Sequence, residues 1–447
     1  MVDVIQSPPN LGESGWVATL PNRKMHPPLD DDIETDYLIV GAGFAGLSAT
    51  RRLMQLDPTA KVVIVEACQV AEGPSGRNSG FMIDLPHVLS SNSYAGALDQ
   101  DQRDIRMNRA AISFAKSMVD EFKLPKAAFE LCGKWNAAAT KVGLKHNASY
   151  SSHLDSLKEP YELFSAAQMH ELTGSNYYQG GLWTPGTAIF QPAQYIIGIA
   201  HALANLARCE LYEKTSVISL NKVSDQWIAT TMNGSIRANK VILAVNGLIE
   251  NFGFYEKRLM HINLYASMTR ALTINEVDRL GGSDAWAFTP ADPLGSTVRR
   301  INNMIEHRLL VRNRCTYDPT LTLPSDRLLK IAVDHDQSFY RRFPMLKDVT
   351  MEYRWAGRLC LSRNNVWAVG EVAENLFSAC CQNGLGATKG TIAGVVAAEK
   401  ASEKIVESQI ADFVEQDAPQ KLLPEPLMSL GANGYLKFRE LCAGNEL

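Results

Sequence analysis

Hydrophobic and polar positions near the N-terminal end predict a strand–helix–strand unit. Residues 37–40 form a short apolar run that suits a buried parallel strand, and residues 47–56 have helical character. A second apolar run over 61–65 predicts the next strand. Farther along the chain, the runs at 211–220 and 238–247 each predict one strand. This order of elements is typical of an α/β fold.

Two long insertions interrupt these segments. The first, 91–164, is helical in character, because the apolar residues within 99–122 fall near one face of a helix. Those residues are Ile105, Ala111, Ile112, Ala115, Met118, Val119 and Phe122. The second insertion, 251–354, contains strand-like runs at 259–272 and 307–317, which suggest an antiparallel sheet.

Length and composition narrow the class of protein. A chain of 447 residues exceeds one ordinary core, so we expect two domains or one interleaved architecture. The net charge of -4 provides no basic surface and argues against a nucleic acid partner. No apolar run approaches the ~18 residues of a membrane span, and the N-terminus lacks the pattern of a signal peptide. Eight scattered cysteines without a C-x-x-C pair suggest a reducing compartment, so we expect a cytoplasmic protein.

A glycine motif follows the first predicted strand at once. Gly41, Gly43 and Gly46 form G-x-G-x-x-G, and Glu66 ends the second strand twenty residues beyond Gly46. Gly41 permits a tight turn, Gly43 lets the backbone approach a pyrophosphate, and Gly46 lets the helix lie close to the strand. The helix N-terminus favours a phosphate, and the Glu66 carboxylate can accept hydrogen bonds from ribose hydroxyls. The motif therefore predicts a dinucleotide and disfavours NADP, but it does not separate NAD from FAD.

Three further segments bear on the choice between NAD and FAD. The first, 73–84, reads GPSGRNSGFMID and predicts a loop whose N–H groups point at an electron-rich ring system, with Arg77 supplying positive charge. The second comprises the runs at 211–220 and 238–247, the latter ending in Asn246 and Gly247. The third, 364–386, leads through a predicted strand into a glycine-rich stretch.

The ordered segments from about 36 to 400 resemble the D-amino acid oxidase superfamily of flavoenzymes, in the group of glycine oxidase, sarcosine oxidase and γ-glutamylputrescine oxidase. The resemblance implies that the chain binds FAD and is an oxidoreductase. The FAD-binding positions that it implies are Gly41, Gly43, Phe44, Ala45, Gly46, Glu66, Ala67, Ser75, Gly76, Arg77, Asn78, Ser79, Gly80, Val217, Ala244, Asn246, Gly247, Gly370, Glu371, Asn383, Gly384, Leu385 and Gly386. Glu371 stands where related flavoproteins often have Asp, which weakens transfer of any one relative's substrate.

The resemblance also implies the fold class. We expect an α/β protein (α+β overall) with a Rossmann-like FAD-binding domain of three-layer ββα architecture, and an interleaved substrate domain on a mixed or antiparallel sheet. The predicted divisions are an extended leader (1–35), a discontinuous FAD-binding domain (36–90, 165–250 and 355–405), a substrate domain (91–164 and 251–354) and a C-terminal tail (406–447).

In such enzymes a hydride passes from the carbon beside a neutral amine nitrogen to flavin N5, and the imine then hydrolyses to a carbonyl compound. Candidate substrate residues are His261 and Tyr265 on the first predicted strand of the second insertion, and Arg312 on its other strand. Arg312 would clamp a carboxylate or lie on the surface. Trp355 would pack at the flavin or in the core. Cys360 lies near the position where some sarcosine oxidase relatives attach FAD covalently.

The stretch 377–399 raises two questions of its own. Cys380 and Cys381 are adjacent, a spacing that strains a disulfide, and too few other ligands stand nearby for a metal, so we expect inert thiols and no metal site. Gly386, Gly390 and Gly394 recur every four residues and share one helix face. Close approach of another backbone or of the flavin would explain them, and the N–H groups around this helix start would stabilise negative charge on the reduced ring.

Other functions remain open at this level. The leading hypothesis is FAD-dependent oxidation of an amine or amino acid, with oxygen or another electron acceptor. One alternative is a monooxygenase that uses NAD(P)H and oxygen on the same fold, and another is a non-catalytic FAD protein. The sequence separates neither oxidase from dehydrogenase nor one amine from another, and it leaves the oligomeric state open.

Overall fold

The computed structural model describes residues 2–6, 8, 10–86, 96–303, 305–404 and 417–447. Its helices are α1 (Gly15–Ala18), α2 (Phe44–Leu56), α3 (Leu98–Glu121), α4 (Lys141–Leu157), α5 (Ala166–Thr173), α6 (Pro192–Ala204), α7 (Ile274–Leu280), α8 (Arg327–Arg342), α9 (Gly386–Ser402) and α10 (Leu427–Ala443). Its strands are β1 (Val2–Asp3), β2 (Ile33–Val40), β3 (Val62–Val65), β4 (Phe81–Met82), β5 (Glu130–Leu131), β6 (Lys134–Ala138), β7 (Glu162–Ser165), β8 (Gly180–Thr184), β9 (Ala188–Ile189), β10 (Cys209–Tyr212), β11 (Ser219–Val223), β12 (Gln226–Thr230), β13 (Ser235–Leu243), β14 (Leu259–Thr269), β15 (Trp286–Pro290), β16 (Thr297–Asn302), β17 (His307–Tyr317), β18 (Met351–Ser362), β19 (Ala368–Ala373) and β20 (Leu376–Cys380).

A parallel sheet in the order β10-β3-β2-β13-β20 forms the centre of the first unit. Its apolar strands are buried on both faces, as parallel strands are when layers cover them. Ile39, Ile64 and Ile242 point into a core with α2, α6 and α9. Leu38 and Val241 point the other way, into a core shared with the antiparallel strands β11 and β12. Helices, parallel sheet and antiparallel strands make three layers, which confirms the predicted fold class.

A second sheet, ordered β18-β14-β17-β16-β15-β6-β8-β7, forms the other unit. Its pairings are antiparallel except for β15 with β6, so the predicted mixed sheet is confirmed. Two strands of this sheet, β8 and the greater part of β18, lie in 165–250 and 355–405, which were assigned to the FAD-binding domain; the division into domains stays a prediction. Residues 87–95 and 405–416, where other boundaries fall, lie outside the described residues.

One predicted strand, 211–220, is two strands separated by a turn. Lys214 has a φ of +52°, which a strand residue does not adopt. Beside it the buried Glu213 accepts hydrogen bonds from the backbone N–H groups of Val70 and His26. The stretch 211–220 contains no glycine or proline, so nothing in the sequence signalled this turn.

Both ends of the chain pack against the sheets. The N-terminal segment pairs β1 with β11 at the edge of the first sheet. At the other end, Arg342 donates hydrogen bonds to the backbone oxygens of Glu446 and Leu447, and the buried Glu446 carboxylate accepts hydrogen bonds from Ala139 N and Thr140 N. In the described parts of the chain, no helix has the length and apolarity needed to cross a bilayer.

Candidate active site

A cavity of about 580 Å³ lies between the two sheets. Its size is in the range of small-molecule and cofactor sites. It gathers most of the predicted site residues from segments far apart in the sequence. Those that line it are Gly41, Gly43, Phe44, Ala45, Glu66, Ala67, Ser75, Arg77, Asn78, Ser79, Val217, Ala244, Asn246, Gly247, His261, Tyr265, Arg312, Gly384, Leu385 and Gly386.

The turn between β2 and α2 depends on its glycines. Gly41 has a φ of +104°, and a Cβ there would lie 2.7 Å from the Ala244 oxygen. A Cβ at Gly46 would lie 1.8 Å from the Gly41 oxygen, so a side chain at Gly46 would push the helix away from the turn. Gly46 therefore acts by packing and does not line the cavity. Gly43 caps the N-terminus of α2 and faces the cavity, where the helix amides favour a phosphate.

The Glu66 carboxylate lies at the end of β3. Its two oxygens accept hydrogen bonds from Ala42 N at 3.0 Å and from Cys68 N at 3.1 Å. Burial raises the pKa of Glu66, while these two N–H groups oppose that rise. Since each carboxylate oxygen can accept more than one hydrogen bond, the group can also accept bonds from hydroxyls in the cavity.

The loop after β3 presents a cation to the cavity. Arg77 donates hydrogen bonds from Nε to the Glu72 oxygen at 2.7 Å and from Nη1 to the Ala356 oxygen at 3.0 Å. Burial lowers the pKa of Arg77 to about 10, so it stays charged at neutral pH. Backbone oxygens hold the guanidinium in place without neutralising it, which favours an electron-rich ligand beside it.

Two large side chains fix this loop from behind. Trp355, predicted to contact the flavin or the core, is fully buried outside the cavity lining and donates a hydrogen bond from Nε1 to the Arg77 oxygen at 2.9 Å. The Arg299 guanidinium donates to the Ser79 oxygen at 2.7 Å and to the Phe190 oxygen at 2.9 Å. A Cβ at Gly80 would lie 2.1 Å from Arg299 Nη1, so Gly80 makes room for this contact.

The N-terminus of α9 faces the cavity, with Gly384, Leu385 and Gly386 in the lining. Nothing lies within 4 Å of a Cβ built at Gly386. A Cβ at Gly394, by contrast, would lie 2.1 Å from the Ala45 oxygen of α2. The glycines of α9 therefore have two roles. Gly386 leaves open space at the cavity, and Gly394 lets α9 and α2 pack in direct contact.

Several predicted FAD-binding residues lie outside the cavity lining. Gly370 and Glu371 are in the β19–β20 hairpin, and the Glu371 carboxylate accepts a hydrogen bond from Asn375 N at 3.0 Å. β18, and not β19, passes along the cavity, so the assignment of these two residues to the cofactor stays a prediction. Asn383 holds the turn before α9 by hydrogen bonds to Ser362 N and the Val366 oxygen. Gly76 is packed against its own loop, where a Cβ would lie 2.0 Å from the Ala71 oxygen.

A single row of residues across four strands forms the roof of the cavity. Ala266 of β14 pairs with Arg312 of β17, and Arg312 pairs with Thr297 of β16. Continuing the register of β15 with β16 places Thr289 next in the row, and Thr289 pairs with Asn136 of β6. Ala266, Arg312, Thr297 and Thr289 all line the cavity, so we call these four residues the roof row.

The two predicted residues of β14 make polar contacts of their own. Tyr265 OH lies 2.7 Å from Thr316 Oγ1, and burial raises the pKa of this tyrosine. His261 Nε2 lies 2.6 Å from the Glu250 carboxylate. Both residues line the cavity, His261 beside Cys360 and Tyr265 beside the roof row.

The cysteines of this region are buried thiols. Cys360 donates a hydrogen bond to Asn246 Oδ1 at 3.1 Å, and the pKa of its thiol is raised well above the usual range, chiefly by its contact with Cys381 and by burial. Burial also raises the pKa of Cys380 to about 12. A protonated thiol is a poor nucleophile, so the surroundings of Cys360 do not favour covalent attachment of FAD.

The N-terminal segment, predicted as a leader, closes part of the cavity. Val4, Ile5 and Gln6 belong to the lining, and Gln6 Nε2 donates a hydrogen bond to the Val217 oxygen at 3.1 Å. Farther along, Trp16 Nε1 donates to the Asn78 oxygen at 2.8 Å. The segment therefore touches both the Val217 end of the cavity and the Arg77 loop.

A variant that lacks residues 1–11 is expected to release FAD about tenfold faster than the full chain, because part of the cavity wall is lost. Tenfold corresponds to about 1.4 kcal/mol, the scale of one or two lost contacts. Stopped-flow mixing with an FAD-scavenging apoprotein measures the release rate. An unchanged rate would mean that the segment does not retain the cofactor.

Sequence reasoning missed several lining residues. Arg358, directly after Gly357 in β18, lines the cavity and donates hydrogen bonds to the Pro8 and Leu321 oxygens. Thr289 and Thr297 were missed because their strands carry no distinctive motif. For Arg358, the signal in the sequence was the Gly-Arg pair that begins two residues after a tryptophan, because this pair puts a small residue next to a cation.

These features fit FAD. The glycine turn and the start of α2 provide room and amides for a pyrophosphate, Glu66 provides acceptors for ribose hydroxyls, and Arg77 with the start of α9 provides positive potential for a ring that gains negative charge. The cavity continues from Val217 past these groups to Arg312. It is therefore longer than a site for a nicotinamide alone requires.

Comparisons with known proteins agree with this fit. Residues 36–400 match the family model described as FAD dependent oxidoreductase. The chain is 24% identical to the probable oxidoreductase OrdL of Rhizobium meliloti, over 90% of this chain and 91% of the relative. It is 24% identical to the gamma-glutamylputrescine oxidoreductase of Escherichia coli, over 83% and 84% of the two chains.

Among solved structures, glycine oxidase from Geobacillus kaustophilus superimposes with a TM-score of 0.70 at 16% identity, over 88% of this chain and 100% of that one. This likeness concerns the fold. Because the family model covers most of the chain, the predicted relationship and cofactor are confirmed. The chain belongs to the family of FAD-dependent oxidoreductases, and its cofactor is FAD.

Proposed function

We propose that the protein oxidises the C–N bond of an amine or amino acid that carries an anionic group. The observation that carries this proposal is the roof row, in which Arg312 and two threonines line the cavity from the second sheet, whereas the glycine turn lines it from the first. When bound, FAD supplies the acceptor for the hydride that the substrate carbon loses. The oxidised product is an imine, which hydrolyses to a carbonyl compound.

In this reaction the residues around the cavity bind the substrate, hold it in place and exclude water. Arg312 binds the substrate anion with charge-assisted hydrogen bonds. Its Nε lies 3.4 Å from Ser79 Oγ, which fixes the cation next to the Arg77 loop. The sheet behind the roof row excludes water, and Tyr265 and His261 bound the space in which the reacting carbon is held.

The names of similar proteins support an amine or amino acid as the substrate class. One relative is a gamma-glutamylputrescine oxidoreductase, and two of the structural neighbours are a glycine oxidase and NikD, described as an unusual amino acid oxidase. Glycine, amino acids and gamma-glutamylputrescine all contain a C–N bond, and we extend this shared feature to the substrate of this chain.

An anaerobic screen tests the proposal. Purified holoprotein is mixed with amino acids, N-alkyl amino acids and polyamine derivatives, and loss of the flavin absorbance near 450 nm is recorded. We expect at least one compound with an amine and a carboxylate to bleach the flavin. Bleaching by NAD(P)H alone, with no response to any amine, would contradict the proposal and indicate a monooxygenase. Repeating the productive reaction in air with a peroxide assay then identifies the electron acceptor.

A further inference from the structure

Lys134 of β6 is buried beside the Thr289 end of the roof row and on the same face of the sheet, because Thr289 pairs with Asn136, two residues along β6. Its side chain is 3% exposed, and Nζ lies 3.0 Å from Thr289 Oγ1 and in contact with Asn136 Oδ1. Among the residues that the structure describes, no carboxylate forms an ion pair with this ammonium. A buried cation without a counter-ion costs several kcal/mol, and methionine would fill the same space without that cost. The lysine therefore needs an explanation other than packing.

Thr289 connects Lys134 with the cavity. The threonine belongs to the roof row and lines the cavity, next to Thr297 and close to Arg312. Its hydroxyl lies 2.7 Å from Asn136 Oδ1 as well as 3.0 Å from the lysine nitrogen. A hydroxyl can donate one hydrogen bond and accept two, and it rotates to suit its partners. It can thus pass a proton from a group in the cavity to the lysine amine beside it.

We propose that Lys134, acting through the Thr289 hydroxyl, accepts the proton that a substrate ammonium must lose before its C–N bond is oxidised. The inference rests on the proposed function, because it concerns how that reaction begins. One N–H bond of the substrate breaks as a bond to Thr289 Oγ1 forms, while the threonine proton moves to the lone pair of Lys134 Nζ. The substrate becomes a neutral amine, Lys134 becomes an ammonium, and no electrons are transferred in this step.

The electrostatic surroundings suit this role. Burial lowers the pKa of Lys134 to about 7, and the Asp84 charge opposes that shift only in part. Asp84 is itself bound by Arg109, which also pairs with Glu159. On the other side, Asn136 of the same strand, Thr184 of β8 and Thr289 of β15 are uncharged. At pH 8 the amine is therefore mostly unprotonated and ready to accept a proton.

The first test compares the rate of flavin bleaching by an amine substrate across pH 6 to 9. The wild type is expected to lose rate below about pH 7, as Lys134 becomes protonated. Lys134→Met and Thr289→Val should each lower the rate at pH 8 by about a hundredfold, the scale of a lost acid–base step, and should abolish the inflection near pH 7. Thr289→Ser keeps the hydroxyl and should restore both.

Lys389→Met provides a matched control. Lys389 is also buried but pairs with Asp104 and belongs neither to the roof row nor to the cavity lining. This variant should keep the wild-type pH profile. If Lys134→Met keeps that profile as well, the proton-accepting role is refuted while the proposed function stands. If no amine bleaches the wild-type flavin, the proposed function and this role fail together.

The second test needs no substrate. A lysine whose folded pKa is lowered to about 7 makes unfolding more favourable below its unfolded pKa of about 10.4, so stability rises with pH between these two values. Relative to Lys134→Met, the unfolding equilibrium constant of the wild-type holoprotein should fall about tenfold per pH unit over this range. Urea unfolding in excess FAD measures it. A ratio that does not change with pH would show that Lys134 is protonated throughout and would overturn the proposal.

Discussion

A Gly394→Ala variant is expected to lose about 2 kcal/mol of folding free energy and to bind FAD at least tenfold more weakly. The added methyl group would lie 2.1 Å from the Ala45 oxygen and 3.0 Å from Ala49 N, both in the backbone of α2. Neither helix can yield locally, because both are buried against the parallel sheet. A contact this short with backbone atoms puts the cost of overpacking at the upper end of its usual range, about 3 kcal/mol, against a gain of about 1 kcal/mol in helix propensity. Since α2 begins at the glycine turn, its displacement also moves the amides that would face the pyrophosphate.

The matched control is Gly434→Ala in α10. It is also a glycine within a helix, but nothing lies within 4 Å of its Cβ position. This variant should gain about 0.5–1 kcal/mol and keep its affinity for FAD. Thermal unfolding and titration of the apoprotein with FAD measure both quantities. Equal effects of the two substitutions would refute the close contact between α9 and α2.

Replacing Arg312 with methionine is expected to weaken binding of a carboxylate-bearing substrate by about 10- to 100-fold. A charge-assisted hydrogen bond contributes about 1.5–3 kcal/mol, and methionine keeps much of the side-chain volume without the charge. Arg312 lies in the roof row, so the loss should appear in substrate binding while the limiting rate of flavin bleaching changes little. Rapid-reaction titrations measure the two separately.

Arg270→Met is the control for charge removal on the same sheet. Arg270 pairs with Glu276, away from the cavity lining, and its loss should leave substrate binding unchanged. A second control compares substrates: an amine without a carboxylate should bind the wild type and Arg312→Met equally well. If Arg312→Met weakens both classes of substrate alike, Arg312 shapes the cavity and does not recognise an anion.

The cofactor end of the site was largely predictable because its requirements are local. A tight turn that packs a helix onto a strand needs glycines at Gly41 and Gly46, and an acceptor for ribose hydroxyls needs an acid at the end of the next strand, at Glu66. Because these requirements fix certain residue types at set distances along the chain, they can be recognised in the sequence. The start of α9 was visible for the same reason, since its glycines repeat with the period of a helix.

The substrate end was less predictable because it depends on strand register. The roof row joins Ala266, Arg312, Thr297 and Thr289, which are far apart in sequence and meet only when four strands align. No motif in the neighbouring sequence distinguishes these two threonines from other threonines of the chain. Lys134 was missed for a related reason, since a lone lysine in a short strand is normally solvated, and only the fold shows that it is buried.

The positions of other predicted residues depend on packing that the sequence does not show. Gly370 and Glu371 were assigned to the cofactor by position along the chain, and the β19–β20 hairpin holds them outside the cavity lining. Trp355 lies in the core and does not line the cavity. Its indole N–H donates a hydrogen bond to the backbone oxygen of Arg77 and so holds the loop that does. The N-terminal segment lacks any motif, yet it forms part of the cavity wall through backbone pairing with β11.

The flavin content of the purified protein tests the central claim most directly. The protein is precipitated with acid, and the flavin in the supernatant and in the pellet is identified and quantified against protein. The account predicts one FAD per chain, released into the supernatant because Cys360 is a buried, protonated thiol. A colourless protein that takes up no FAD on reconstitution would contradict it.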